Sequence, residues 1–420
     1  MEESNHNSQF AIRNSQLEKF DAIRSFEPEE LPAAYDRLLA DPQFLKVVAF
    51  LFPGVPTEAI SAKMHQQKTN LDFQKAFCYT FLKDLLAKAS TGCDMDCSAI
   101  DTEGRYTFVS NHRDIVLDSA LLDVMLIDAG FTTTCEIAIG DNLLAAPWIK
   151  DLVRVNKSFI VERSLGIREM LAASKRMAEY MHYVIGVKHD NIWIAQREGR
   201  AKDSDDRTQP AILKMMAMGG EGSVIDRLRQ LHIVPLSISY ELDPCDYLKA
   251  QEFQQRRDIE GWQKSKADDV LSMKTGILGF KGRIHYHCAP CIDDWLLTLP
   301  ADMPKSEVFD TIAAHIDHEI HRNYRIYPCN RIALDLLEGT PSSEQRSQAL
   351  QSGQPSGGYT AEDKARFEQY LDSQLQKISI DSRDEPFLRE RILTMYANPL
   401  RNHNAAVKEL GKGLRDKGKG

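Results

Sequence analysis

Between residues 106 and 287 the chain switches repeatedly between short β-branched or aromatic runs and longer stretches with helical periodicity, and this alternation restricts its fold more than any other feature. The strand-like runs are 106–110, 132–139, 157–161, 191–196, 232–240 and 283–287. Helical patterns separate most of them, at 117–129, 141–152, 166–183, 209–218 and 222–231. Strands spaced in this way pair in parallel, because a parallel connection needs a crossover long enough to hold a helix. The expectation is an α/β fold: a largely parallel central sheet flanked by helices, with helical N-terminal and C-terminal extensions and with chemistry at the carboxyl ends of the strands.

The extensions set the expected domain limits. Residues 1–16 are polar and unpatterned and are expected to be disordered. A helical N-terminal region is expected over 17–90, where Phe73, Phe77, Phe81 and Leu85 recur at helical spacing and Pro42, Pro53 and Pro56 cut the region into short helices. The α/β domain is assigned to 91–330, with the Lys-, Asp-, Glu- and Gln-rich segment 246–274 as an exposed helical insertion. A helical C-terminal region is expected over 331–420, broken by a Ser/Gln/Gly/Pro-rich segment near 340–358 read as a mobile loop and ending in a basic, glycine-rich tail expected to fray.

A net charge of -9 argues against nucleic acid as the partner, since neutralising phosphates needs a basic surface. The most apolar windows, 44–52 and 119–130, are short and interrupted by Lys46 or by Asp123 and Asp128, so no segment is expected to span a bilayer. The reading is a cytoplasmic protein, at most associated with a membrane from the cytoplasmic side. Eight scattered cysteines read as reduced thiols.

The stretch 109–123, VSNHRDIVLDSALLD, carries the clearest chemistry. An apolar run delivers Asn111 and His112 to the point where strand periodicity gives way to a helix. Asp114 and Asp118 follow, and a carboxylate-positioned imidazole is the simplest general base near neutral pH. A lone histidine at a helix start also serves as a cap or a solvated group, so the rest of the chain has to decide. Three further strand ends bear on it. One is KSFIVERSLG with Arg163, another NIWIAQREGR with Arg197, Glu198, Gly199 and Arg200, and the third HIVPLSISYE with Pro235. Guanidinium groups pair bidentately with phosphate oxygens, so arginines at a shared mouth suit a phosphate monoester.

In this order, NHRDIVLD, FIVER, REGR and IVP resemble the blocks of the glycerolipid acyltransferase family, the glycerol-3-phosphate and 1-acylglycerol-3-phosphate acyltransferases, as a divergent branch. The resemblance covers about 107–240. It implies O-acyl transfer in phospholipid biosynthesis, with His112 and Asp118 catalytic. Arg163, Arg197 and Arg200, with Gly199 in the same phosphate-binding block, would hold the phosphate of a glycerol-phosphate acceptor, and Glu198 would bind a glycerol hydroxyl or orient an arginine. Asn111, Arg113 and Pro235 would support them, Arg113 as a further candidate for the phosphate or oxyanion, and amides at the helix start would stabilise the oxyanion. The acyl donor implied is acyl-CoA or acyl carrier protein, with no other cofactor and no metal.

The blocks depart from the family pattern. Five residues stand between His112 and Asp118 where the family has four, leaving Asp118 or Asp114 as the partner of His112. Asp118 is preferred, because one extra residue in a turn costs little. Glu162 precedes Arg163, and the third block lacks its threonine.

Two rival readings remain. A metal-dependent hydrolase would use HYHCAPC (285–291) with His315, His318, Glu319 and His321 of AAHIDHEIHR, although the Cys-x-x-Cys of the first has no matching second pair and the second lacks the spacing of a helical two-histidine zinc motif. A non-catalytic lipid-binding relative would keep the arginines and tolerate loss of His112.

Overall fold

The computed structural model describes residues 17–163, 165–339 and 358–417. The expected disordered start (1–16) and nearly all of the expected mobile loop (340–358) lie outside the described residues. At the centre is a seven-stranded sheet in the order β1-β7-β6-β2-β5-β3-β4. Its strands are β1 Gly92–Asp96, β2 Thr107–Ser110, β3 Cys135–Gly140, β4 Ser158–Val161, β5 Asn191–Ala195, β6 Ile233–Tyr240 and β7 Arg283–Cys288. The run from β6 through β2, β5 and β3 to β4 is parallel, whereas β7 lies antiparallel to β6 and carries β1 parallel to itself. The α/β fold is therefore as expected. The strand β1 was missed, because CDMDC alternates with aspartates, lacks a β-branched or aromatic residue, and buries neither face fully.

Alternate residues of the inner strands feed two cores, as period-two geometry requires. Val109, Ile192, Ile194 and Ile233 pack with Met181, Ile312, Ile316 and Ile320. On the other face Phe108, Trp193, Val234 and Leu236 pack with Leu121 and Leu122 of the helix Leu117–Asp128 and with Leu82 and Leu85. Burial on both faces explains why β2 and β6 read as continuous apolar runs. The helix after β2 ends where Gly130 takes a left-handed φ of 86°, which a glycine adopts without strain.

The extensions are less separate than their sequence suggests. Leu17, Phe20 and Ile23 join the sheet core, and the amide of Ile160 in β4 donates to the Ile23 carbonyl. The 330/331 limit falls inside the helix Pro328–Glu338, which shares a core with Phe367, Leu371, Leu388 and Ile392. The insertion after β6 forms the helices Asp246–Asp258 and Lys266–Leu278. It is not simply exposed: Asp246, Lys249, Ala250, Glu252 and Gln254 are buried against neighbouring elements. The last helix runs Glu385–Lys417, through most of the tail that was expected to fray. Among the described residues no helix is long and apolar enough to cross a membrane.

Candidate active site

The carboxyl end of β2 releases Ser110, Asn111 and His112 between two parallel neighbours, β5 and β6. Asn111 is fully buried and clamps β6. Its Nδ2 donates to the Ile238 carbonyl at 2.9 Å, and its Oδ1 accepts from the Ile238 amide at 2.8 Å. Trp193 Nε1 donates to Ser110 Oγ at 3.0 Å, and the indole meets the His112 ring edge-on with centroids 5.7 Å apart. The strand end is thus fixed from both sides before the chain turns.

Two aspartates shape that turn, with different tasks. Asp118, fully buried, places Oδ2 2.8 Å from His112 Nδ1, and the same oxygen accepts from the amides of Arg113 (2.6 Å) and Asp114 (3.1 Å). Asp114 Oδ1 accepts from the amides of Val116 (2.9 Å) and Leu117 (2.8 Å), capping the helix Leu117–Asp128. Burial, reinforced by the nearby Asp118 charge, pushes the Asp114 carboxyl upward against the pull of those two amides. The extra residue of this block is absorbed in the turn, and Asp118 stands in the first helical turn facing the imidazole. These bonds also occupy the amides of Arg113, Asp114, Val116 and Leu117. The helix-start amides expected to stabilise an oxyanion are therefore engaged at those four positions.

Arg113 also departs from expectation. Its guanidinium turns inward, pairs with the buried Asp206 carboxylate at 2.7 Å and lies over the Tyr324 ring, so it does not face an acceptor phosphate. Tyr324 Oη donates to the same Asp206 oxygen at 2.7 Å. His321 Nε2 lies 2.8 Å from the Asp206 carbonyl, and Asp317 accepts from Thr208 N and Oγ1 at 2.7 and 2.6 Å. The polar loop after β5 is thus strapped to the helix Lys305–Arg322. Asp206 is the member of this network that the sequence did not single out, since it stands in an acidic loop, DSDD, that reads as solvated surface.

The remaining arginines sit on two flanks of His112 and form no single cluster. Arg163, after β4, donates to Glu198 Oε1 at 3.3 Å, and its amide donates to Asp141 Oδ2. Its guanidinium packs against Gly140 at the end of β3, where a Cβ would come within 3.1 Å of it. Arg200 reaches the other way, toward Asp114, Asp243 and Cys245 beside the insertion, and its Nη1 is buried with no hydrogen-bond partner. Lys249, itself buried, pairs with Asp243 at 2.5 Å in the same cleft. Arg197 turns toward Asp206, and its Nε is likewise buried and unpartnered. Glu198 is exposed and Gly199 forms the turn at φ 69°. Pro235 is buried in β6 opposite Val109, with its carbonyl accepting from the Ala289 amide.

The histidines of the metal-hydrolase reading are spent singly. His285 and His287 pair with Asp94 and Asp96 of β1, His315 stacks on Trp295 at 3.7 Å, and His321 braces Asp206. Neither stretch gathers three ligands among the described residues, and only Cys291 joins a ligand-like group, with His232 and Asp293.

Residues 96–239 match the family model described as Acyltransferase. Among solved structures the chain is similar to the 1-acyl-sn-glycerophosphate (LPA) acyltransferase PlsC from Thermotoga maritima. That likeness has 12% identity, covers 68% of this chain and 93% of that one, and has a TM-score of 0.34. No curated protein matches the chain in sequence.

Proposed function

On the match of residues 96–239 to the family model described as Acyltransferase, we propose that the protein moves a fatty acyl group from a thioester, acyl-CoA or acyl carrier protein, to a hydroxyl of a glycerol-phosphate-type acceptor. The observation that carries this reading is the His112–Asp118 pair at the end of β2. Asp118, anchored by two backbone amides, holds a proton on Nδ1 and leaves Nε2 as the base. Nε2 takes the proton from the acceptor hydroxyl as that oxygen attacks the thioester carbonyl, and the resulting imidazolium returns it to the departing thiolate. No nucleophilic serine or cysteine enters this route.

Arg163 and Arg200, on opposite flanks of His112, would meet the acceptor phosphate from two sides, with Glu198 holding Arg163 in place. Exposed Met170 and Leu171, on the helix Ile167–Tyr183 that follows Arg163, support contact with a membrane surface from which a lysolipid would be drawn. The test is transfer from labelled acyl-CoA or acyl carrier protein to a panel of phosphorylated and non-phosphorylated acceptors. The expected result is acylation of a phosphorylated glycerol that vanishes in His112→Ala. Full activity in a folded His112→Ala protein would overturn the mechanism, and acylation of non-phosphorylated acceptors alone would overturn the acceptor class.

A further inference from the structure

At the end of the sheet opposite His112, a third group of reactive side chains serves no step of that reaction. His232 immediately precedes β6, and its carbonyl accepts from the amide of Thr107, the first residue of β2. His112 lies five residues further along the same strand direction, on the order of 15 Å away at the rise of a β-strand. Cys291 closes the CAPC turn after β7, and Asp293 begins the short helix Asp293–Leu296. Imidazole nitrogen, thiol sulfur and carboxylate oxygen from these three residues all lie within 4.8 Å of one another.

We propose that His232, Cys291 and Asp293 bind a zinc-class divalent cation. One sulfur, one nitrogen and one oxygen are the donor types that zinc takes together, whereas calcium and magnesium reject the thiolate. Ligands of one tetrahedral zinc stand roughly 3.3–3.8 Å apart at ordinary bond lengths, so small side-chain rotations bring this trio into place. His232 Nδ1 already lies 2.5 Å from Asp293 Oδ2.

Two further observations go beyond an ion pair. The Cys291 thiol hydrogen-bonds the Asp293 carboxylate, whose buried Oδ1 takes no other hydrogen bond among the described residues, so a cation in place of that thiol proton would satisfy both groups. His232 is held at φ 46°, a left-handed conformation that costs a non-glycine residue free energy and here turns the imidazole toward the CAPC turn. The group borders an open cleft of about 700 Å³ lined also by His182, His189 and Asp226, so a fourth position is open to water. Arg105, on the same cleft, is committed to the His189 carbonyl and Thr132 Oγ1 and leaves the ligands free. Binding releases the Cys291 thiol proton to solvent, and no electron changes hands. The cation would tie the start of β6 to the turn after β7, so its role is to hold the sheet.

The experiment is titration of chelator-stripped full-length protein with cobalt(II), then zinc. One equivalent of cobalt is expected to bind and to give a thiolate-to-cobalt charge-transfer band, which zinc displaces. The band should disappear in Cys291→Ser and persist in Cys97→Ser, and affinity should fall tenfold or more in Asp293→Asn. Zinc should raise the melting temperature of the parent and not of Asp293→Asn, a readout that holds even if one variant folds poorly. Absence of stoichiometric cobalt binding, or a band that survives in Cys291→Ser, would overturn the site.

Discussion

The Asp118 carboxylate meets His112 Nδ1 with the same oxygen that two backbone amides hold in place, so the orientation of the imidazole is set by the main chain of its own turn. Asp118→Asn should therefore leave stability nearly unchanged while lowering kcat by orders of magnitude, since an amide neither enforces the tautomer nor stabilises the imidazolium. Asp114→Asn keeps an oxygen for the amides of Val116 and Leu117 and should be much milder. The two variants need only be assayed side by side at saturating substrate. A crippled Asp114→Asn beside an active Asp118→Asn would reverse the assignment.

Arg163 and Arg200 differ in burial, and their variants should differ accordingly. Arg163 is over a third exposed and its partner Glu198 more so, and such a pair adds little to folding. Arg163→Ala should raise KM for a phosphorylated acceptor roughly ten- to a hundredfold, the loss of about 1.5–3 kcal/mol of charge-assisted bonding, with an unchanged melting temperature. Arg200→Ala should raise KM and also lower the melting temperature, because it leaves Asp243 and Lys249 to repack. Equal KM values for parent and both variants would assign the arginines to structure alone.

How far the sequence carries follows from which signals are local. The change from strand to helix at Ser110–Leu117 is visible in the apolar period, and a helix whose Leu117, Leu121 and Leu122 are almost wholly buried has little freedom to sit elsewhere. The carboxylate that faces His112 lies six residues away along a turn and helix start, so local geometry reaches it. Arg113 is different: its partner Asp206 comes from the loop after β5, and nothing in HRD distinguishes a guanidinium that turns inward from one that faces a ligand. The histidines of HYHCAPC and AAHIDHEIHR misled for the same reason, since Asp94, Asp96 and Trp295 engage them only once the sheet is assembled. The strand β1 was hidden because it is an edge strand, half-exposed throughout, and lacks the apolar run that marks β2.

Gly276, in the helix Lys266–Leu278, has no counterpart in any motif, yet a Cβ there would collide with Asp114 Oδ2. That carboxylate is buried and its other oxygen is bound to two amides, so it has nowhere to retreat. Gly276→Ala should cost about 1–3 kcal/mol through overpacking and a disturbed cap, and should lower kcat more than it changes KM. Pairing it with Asp114→Ser, a shorter cap, should restore much of both, as chemical denaturation and kinetics would read. Parent-like stability in Gly276→Ala would show that the two elements are less closely packed than they stand here.

The burial of His321, whose imidazole braces the Asp206 carbonyl, makes the site loop sensitive to acid. Burial, helped by the charges of Arg207 and Arg113, lowers the His321 pKa from 6.5 to about 4 against the pull of that carbonyl. Between those values the unfolded chain binds a proton that the folded protein does not, so this group removes stability as the pH falls from 6.5 toward 4, by an amount on the order of 3 kcal/mol. Asp317 works in the opposite direction. Burial raises it to about 6, so the folded protein gains a proton there before the unfolded chain does and is stabilised as the pH falls from 6 toward 3.8. The diagnostic quantity is consequently the difference between His321→Gln and the parent, measured by urea denaturation at a series of pH values. Glutamine can still donate to the Asp206 carbonyl and does not titrate, so the variant should be somewhat less stable than the parent at pH 7 and should gain on it steadily between pH 6.5 and 4. A difference that stays constant across this range would mean that His321 accepts its proton in the folded protein as readily as in the unfolded chain.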